Sequence, residues 1–196
     1  RARQVANALD GMKLATGSRV ATLAWNGYRH LELYFGVSGS GRVLHTINPR
    51  LHPEQIAWIA NHAEDQILCF DMSFLPLVQA VHAQCSTIQQ YVALCDADKL
   101  PADTGIPGLV SYEAWMGQQP ATYAWPQMDE NAACSLCYTS GTTGNPKGAL
   151  YSHRSTVLHA YAAALPDSMC ISARDSILPV VPMFHVNAWG IPYSAA

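Results

Sequence analysis

Hydroxyl side chains, glycines and one lysine are concentrated in a single segment of the sequence, residues 138–148 (YTSGTTGNPKG). Glycines allow tight backbone bends that present N–H groups to anionic oxygens, and hydroxyl groups supply further donors. Lys147 adds a mobile positive charge. Because the segment follows an apolar stretch with strand character, it predicts a phosphate-binding loop at the end of a strand.

The spacing within this segment differs from that of a Walker A loop, which has the form G-x-x-x-x-G-K-[ST]. Here Gly141 and Gly144 lie closer together, and Gly148 follows Lys147 where Ser or Thr would be needed. A flexible surface loop between two strands is the structural alternative for any glycine-rich segment. The number of specified residues in a strand–loop–strand setting favours phosphate binding.

A second pair of residues with chemical potential lies near the end of the sequence, where Trp189 follows His185 after one helical spacing. If the segment is a right-handed helix, both side chains share one face. Packing in a core is the alternative for both residues.

Short apolar segments alternate with amphipathic ones along most of the sequence, which predicts βαβ crossovers and a mostly parallel, doubly wound sheet in an α/β protein. Ser73 is a candidate N-cap for one of the helices. The predicted strands are 18–25, 42–48, 66–71, 87–95, 132–138, 149–152 and 177–181, and the predicted helices are 28–37, 53–64, 74–84, 112–115 and 154–165.

Composition excludes several classes of protein. Hydrophobic residues make up 49% and charged residues 13%, which excludes a disordered chain. A net charge of -3 without a basic block argues against nucleic acid as a partner. No apolar stretch is long enough to cross a bilayer, so no transmembrane segment is predicted.

The six cysteines are scattered through apolar segments, which predicts buried, reduced thiols and a cytoplasmic protein. Peripheral association with a membrane stays open. Cys134 and Cys137 form a CxxC within a predicted strand, and burial is the better interpretation there than a redox or zinc site.

With these motifs in hand, the sequence resembles the adenylate-forming, AMP-binding superfamily. The YTSGTTGNPKG segment resembles the superfamily's phosphate-binding signature. The run VPMFHVNAWG, residues 181–190, resembles the next family motif in the form found in medium- and long-chain fatty-acid–CoA ligases. Upstream, RVATLAWN (19–26) and LHTINPRL (44–51) resemble early segments of that subfamily.

The resemblance implies ATP-dependent activation of a fatty acid to an acyl-adenylate and then thioester formation with CoA. It implies Lys147 and His185 as catalytic residues and Thr139 as the hydroxyl on the side of Mg²⁺. His185 and Trp189, with Val186 and Asn187, would bind the acyl substrate, Trp189 as a gate. The implied ligands of the ATP phosphates are Thr139, Ser140, Gly141, Thr142, Thr143, Gly144 and Lys147.

The resemblance also predicts the domain organisation. Residues 1–196 would form a partial N-terminal AMP-binding domain, with most of a first α/β subdomain in 1–175 and the start of a second in 176–196. The chain begins at Arg1 and stops inside an apolar run. We therefore expect the C-terminal lid to be absent and this segment alone to form no acyl-adenylate.

Three alternatives stay open at this point. The acid could be another carboxylic acid, such as a short sulfur-containing or an aromatic one. The acceptor could be a carrier protein instead of CoA. The chain could also be an inactive, truncated nucleotide-binding module. A homodimer is compatible with all of them.

Overall fold

The computed structural model describes residues 1–139 and 145–196. Within these residues, helices and strands alternate along most of the chain. The helices are α1 (Ala2–Gly11), α2 (Tyr28–Gly39), α3 (Pro53–His62), α4 (Leu75–Val81), α5 (Tyr112–Gly117), α6 (His153–Ala164) and α7 (Ile191–Ser194). The strands are β1 (Arg19–Leu23), β2 (Val43–Thr46), β3 (Asp65–Phe70), β4 (Gln90–Ala93), β5 (Val110–Ser111), β6 (Ala133–Thr139) and β7 (Lys147–Ser152).

The seven strands form one sheet in the order β5-β4-β3-β1-β2-β6-β7. Every neighbouring pair is parallel except β6 and β7, which are antiparallel. The order reverses beside β1, as in doubly wound sheets, where ligands bind near the carboxyl ends of the strands. The predicted mostly parallel α/β architecture is confirmed.

Helices cover both faces of the sheet. On one face, α1, α2 and α5 pack against the sheet through residues such as Leu9, Tyr34 and Tyr112. On the other face, α3 and α4 pack through Ile56 and Val78. Strands that are buried on both faces need near-continuous apolar sequence, which explains why alternation of polar and apolar residues is weak in this chain.

Two predictions about local structure are wrong. Residues 177–181 do not pair as a strand. Pro179 and Pro182 have no backbone N–H to donate, and the side-chain amide of Asn26 donates hydrogen bonds to the carbonyl oxygens of Pro179 and Val181. Ser73 does not cap a helix; it lies in a 3-10 turn (Met72–Phe74), and its hydroxyl accepts a hydrogen bond from Trp25 Nε1. The sequence analysis also missed α1 and β5.

Five of the six cysteines are buried, as predicted, whereas Cys170 is exposed, contrary to prediction. Burial raises the pKa of Cys85 to about 11 and also raises the pKa values of Cys134 and Cys137. These thiols are therefore protonated at neutral pH and weak nucleophiles. In the part of the chain that the structure describes, no helix has the length and apolar character needed to cross a membrane.

Candidate active site

The predicted phosphate loop connects the two antiparallel strands β6 and β7. Thr139 is the last residue of β6 and Lys147 the first of β7; they are register partners, and Thr139 Oγ1 donates to the carbonyl oxygen of Lys147 at 3.4 Å. Both side chains are exposed at the carboxyl edge of the sheet. The other predicted phosphate ligands, Ser140, Gly141, Thr142, Thr143 and Gly144, lie outside the described residues.

Tyr138 anchors the start of this loop to helix α3. A 2.7 Å hydrogen bond joins Tyr138 Oη and His62 Nδ1, and the ring of His62 stacks on Trp58. Burial raises the pKa of Tyr138, so its phenol stays protonated. A Cβ at Gly148, the register partner of Tyr138, would lie 3.2 Å from the Tyr138 ring. The absence of a side chain at Gly148 thus leaves room for the ring.

A buried hydrogen-bonded pair of side chains lies beneath this anchor. The rings of His45 and Tyr138 are 5.2 Å apart, and a 2.8 Å hydrogen bond joins His45 Nδ1 and Asp65 Oδ2. Both side chains of the pair are fully buried. Burial raises the pKa of Asp65, and the neighbouring His45 opposes that shift. The floor under the loop is therefore polar, packed and inaccessible to substrate.

The segment that carries the other predicted site residues is held at the carboxyl edge of the sheet by side chains. Asn26, which follows β1, donates to Pro179 and Val181 carbonyl oxygens at 2.9 and 3.0 Å and accepts from the Met183 N–H at 2.7 Å. Tyr34 Oη donates to the Met183 carbonyl oxygen at 2.5 Å. These contacts place residues 179–185 beside the end of β1.

Residues 186–189 form a left-handed turn, with φ between 47° and 55° at Val186, Asn187, Ala188 and Trp189. The premise of a right-handed helix that would align His185 and Trp189 on one face is therefore wrong. The side chain of Asn187 stabilises the turn: it accepts from Thr46 Oγ1 at 3.0 Å and donates to Ser135 Oγ at 3.1 Å. Buried hydrogen bonds of this kind compensate for an unfavourable backbone conformation.

Trp189 is 55% exposed, and its carbonyl oxygen accepts a hydrogen bond from His159 Nε2 at 2.9 Å. Gly190 follows with a φ of 74°, and a Cβ there would lie 2.5 Å from the His159 ring. Glycine is required at this position both by its backbone conformation and by its close approach to His159. Helix α7 begins directly afterwards at Ile191, with Pro192 in its first turn, where a missing N–H costs no helical hydrogen bond.

A cavity of about 400 Å³, the Trp189 cavity, opens between the left-handed turn, helix α6 and the β6–β7 hairpin. None of its lining side chains belongs to Asp, Glu, Lys or Arg. They are Ser135, Tyr151, Ser155, Thr156, His159, Val186, Asn187, Trp189, Gly190 and Tyr193. The volume suits a small organic ligand, and walls without carboxylate, ammonium or guanidinium groups suit an apolar one.

The structure brings together some of the predicted substrate residues and separates another. Val186, Asn187 and Trp189 line the Trp189 cavity, whereas His185 is exposed and is not among the residues that line it. The amide of Asn187 is engaged by Thr46 and Ser135, which gives it a structural role in the turn. Sequence analysis missed His159, whose position on α6 gives no motif signal.

The chain belongs to the family of AMP-binding enzymes, whose model matches residues 1–196. It is 56% identical over 196 residues to a medium-chain-fatty-acid–CoA ligase of Ectopseudomonas oleovorans, covering 100% of this chain and 36% of the relative. It is also 56% identical over 195 residues to a 3-methylmercaptopropionyl-CoA ligase of Ruegeria pomeroyi, again covering 100% and 36%.

A solved structure of a Mycobacterium tuberculosis fatty acyl CoA synthetase is similar to this chain, with a TM-score of 0.80 and 24% identity. The match covers 99% of this chain and 35% of that structure, and at this identity it supports the fold alone. The chain spans 36% of the length of each of the two ligase relatives named above.

Proposed function

We propose that this chain is part of an AMP-forming fatty-acid–CoA ligase. The observation that carries the proposal is the placement of a cavity of about 400 Å³, without Asp, Glu, Lys or Arg in its lining, behind the hairpin whose loop has the phosphate-binding pattern. Such a site can hold an apolar acid tail in the cavity while the carboxylate points towards the loop. Family membership and the ligase relatives support the same chemistry.

The proposed reaction has two steps. A carboxylate oxygen of the fatty acid attacks the α-phosphorus of ATP, the bond from that phosphorus to the bridging oxygen breaks, and pyrophosphate leaves. The CoA thiolate then attacks the acyl carbonyl and releases AMP. In phosphoryl-type transfer a protein acts mainly by positioning groups and neutralising developing charge.

The roles of the loop residues follow from their chemistry. Lys147 would neutralise charge on the β- and γ-phosphates and on departing pyrophosphate. Thr139, Ser140, Thr142 and Thr143 would donate hydrogen bonds to phosphate oxygens, while Gly141 and Gly144 would let backbone N–H groups approach them. Exposure of Thr139 and Lys147, which flank the loop at one end of the hairpin, supports access for a polyphosphate.

Magnesium fits this donor set as a companion of the triphosphate. The Thr139 hydroxyl is an exposed oxygen ligand of the kind that Mg²⁺ prefers, and Mg²⁺ is commonly bound through substrate phosphates together with few protein groups. When bound, the ion would supply positive charge to the phosphate oxygens.

The acyl end of the proposed site depends on Trp189 and His185. Trp189 is half exposed, lines the Trp189 cavity and is followed by Gly190. It would gate entry of the acyl chain. His185, exposed just before the left-handed turn, would act near the reacting carboxylate. Residues 176–196 would begin a second subdomain that packs on 1–175, in a cytoplasmic enzyme able to associate with membranes peripherally and to form a homodimer.

A second candidate acid is 3-methylmercaptopropionate. The relative named for that acid is 56% identical to this chain, as is the relative named for medium-chain fatty acids. The polar atoms around the Trp189 cavity, from Ser135 and Thr156, are compatible with a short sulfur-containing tail.

The decisive experiment uses the full-length protein that contains residues 1–196. Acyl-CoA formation is measured with ATP, Mg²⁺, CoA and a panel of straight-chain acids, 3-methylmercaptopropionate and benzoate. Preference for straight-chain acids supports the proposal, preference for the sulfur acid supports the second candidate, and no AMP release with any acid contradicts both. Residues 1–196 alone are assayed in parallel, and we expect no pyrophosphate release from them.

A further inference from the structure

A second cavity, the Trp125 cavity, has a volume of about 320 Å³ and lies between the end of helix α2 and the connection that precedes β6. Phe35 and Gly39 contribute from α2, and Trp125 and Met128 contribute from the connection. A Cβ at Gly39 would lie 2.9 Å from the Trp125 ring, so the indole rests directly against the end of α2. Trp125 thus forms an end wall.

The Trp125 cavity and the Trp189 cavity share two wall residues, Thr156 and Tyr193. The cavities are therefore neighbours on the two sides of these side chains. Helix α6 lines both: His159 borders the Trp189 cavity, and His153 borders the Trp125 cavity. From one cavity to the next, the path follows α6 towards its N-terminus.

This path leads away from the phosphate loop. Register pairs show that Thr139 and Lys147 lie at one end of the β6–β7 hairpin, whereas Ala133 and Ser152 lie at the other. Helix α6 begins at His153, immediately after Ser152. The Trp125 cavity, at the N-terminal turn of α6, is therefore the farther of the two from the loop.

The walls of the Trp125 cavity suit an apolar occupant. None of the lining side chains belongs to Asp, Glu, Lys or Arg. Burial lowers the pKa of His153, so its ring is neutral at pH 7. Thr156 Oγ1 contacts Cys134 Sγ at 3.1 Å, so its hydroxyl is engaged by a neighbouring side chain. A hydrocarbon tail would meet mainly carbon, sulfur and aromatic surface there, together with two buried polar atoms, His153 Nε2 and Tyr193 Oη.

We propose that the Trp125 cavity receives the distal end of long acyl chains, that Thr156 and Tyr193 form the passage into it, and that Trp125 limits chain length. This inference rests on the proposed ligase function. The occupant is the far end of a straight-chain carboxylic acid whose tail exceeds the Trp189 cavity. Thr156, Tyr193 and Trp125 are then specificity-determining residues for the acyl substrate.

Two substitutions with opposite expected effects test this inference in the full-length protein. Thr156→Phe fills the passage, and Trp125→Ala removes the end wall. For each variant, kcat/KM for acyl-CoA formation is measured with straight-chain acids from butanoate to hexadecanoate. One methylene in an apolar pocket is worth about 10-fold or more. We therefore expect Thr156→Phe to lower the hexadecanoate-to-hexanoate ratio by about 10-fold or more and Trp125→Ala to raise it.

Matched controls separate chain-length selection from damage to the fold. Thr156→Val keeps the side-chain volume and removes the hydroxyl, and it should retain the wild-type ratio. Trp115→Ala deletes a partly buried indole on α5 that borders neither cavity. Any loss of kcat/KM in this variant should be equal for all acids. The KM for ATP should be unchanged in all four variants.

The outcomes distinguish this inference from the proposed function. If the wild-type protein is an active ligase but Thr156→Phe and Trp125→Ala keep its chain-length ratio, the distal compartment is refuted while the ligase stands. If Thr156→Phe does not fold, Trp125→Ala alone decides. If the wild-type protein forms acyl-CoA with no acid, the ligase proposal fails and this inference fails with it.

Discussion

The two ends of the proposed site are built by different means. At the loop end, backbone pairing between β6 and β7 sets the positions of Thr139 and Lys147, and their side chains are exposed. At the Trp189 end, buried side-chain hydrogen bonds of Asn187 hold a left-handed turn, and exposed Asn26 holds the segment that precedes it.

This difference determines what substitutions should do. An exposed side chain on a paired strand can be removed without moving the backbone, so its loss should affect chemistry and leave stability intact. A buried amide that holds a turn cannot be removed without leaving its partners unsatisfied, so its loss should affect stability first. Five measurements test or refine this comparison, from the largest expected effect to the smallest.

Lys147→Ala should slow adenylation about 100-fold or more, because a charge that stabilises the transition state is worth about 3 kcal/mol. Unfolding free energy should change by less than about 0.5 kcal/mol, as for a surface substitution. Pyrophosphate exchange and urea unfolding of the full-length protein measure the two quantities. Lys99→Ala, at another exposed lysine, is the control. If Lys147→Ala strongly lowered the free energy of unfolding but left pyrophosphate exchange at the wild-type rate, the Lys147 side chain would support the fold and not the chemistry.

His30 should make the Trp189 end sensitive to acid. The ring is buried, its Nδ1 lies 3.1 Å from the Trp25 carbonyl oxygen just before Asn26, and its Nε2 lies 3.0 Å from Thr22 Oγ1. A carbonyl oxygen only accepts hydrogen bonds, so Nδ1 carries the hydrogen. Burial lowers the pKa of His30 to about 4, below its usual 6.5.

The sign of the pH effect follows from this lowered pKa. Between pH 6.5 and about 4 the unfolded chain binds a proton that the folded chain does not, so stability is complete above pH 6.5 and falls as pH decreases. The total loss should be about 3 kcal/mol. Urea unfolding against pH should show a steeper slope for the wild type than for His30→Gln, with exposed His52→Gln as control. Parallel slopes would contradict the assignment.

Asn187→Ala should lower the free energy of unfolding by about 2–3 kcal/mol, because Thr46 and Ser135 each lose a buried hydrogen-bond partner. Asn131→Ala, at an exposed asparagine, should change it by less than about 0.5 kcal/mol. Both values are measured by urea unfolding. Equal stability of the two variants would mean that the turn does not depend on its buried amide.

Trp189→Ala should change the acyl chain-length ratio by about 10-fold while the KM for ATP stays constant. Removal of a buried tryptophan costs about 3–5 kcal/mol, but Trp189 is half exposed and should cost less than about 1 kcal/mol. Steady-state kinetics and thermal unfolding measure these effects. Early unfolding with a wild-type chain-length ratio would make Trp189 a core residue.

Tyr138→Phe should have the smallest effect, because one hydrogen bond to His62 is lost while the ring and its packing remain. A net contribution of about 1 kcal/mol predicts about a 5-fold increase in the KM for ATP if Tyr138 orients the loop. The matched control is Tyr91→Phe. Tyr91 lies on the distant strand β4, and its hydroxyl donates a hydrogen bond to the His82 carbonyl oxygen. Equal KM values for ATP in the two variants would show that the Tyr138–His62 hydrogen bond does not orient the loop.

The sequence determined the architecture well because strand and helix patterns are local. Apolar runs such as residues 66–71 and helical periodicity in 28–37 matched β3 and α2 within one or two residues. The loop pattern and its position between two strands were equally readable, because glycine, hydroxyl and lysine chemistry does not depend on distant contacts. Helix α1 was missed although its apolar residues Val5 and Leu9 stand four positions apart, which is the spacing of one helical face.

The shape of the site was decided by the tertiary structure. Nothing in the local sequence of 186–189 indicates a left-handed turn, because its stability comes from Thr46 and Ser135, which are distant in sequence. In residues 177–181 the local prolines disfavour strand pairing, but only contacts with the remote Asn26 set where the segment lies. The two cavities depend on Thr156 and Tyr193 meeting across elements. Local pattern encodes which elements form, whereas side chains remote in sequence set where the chain between them must lie.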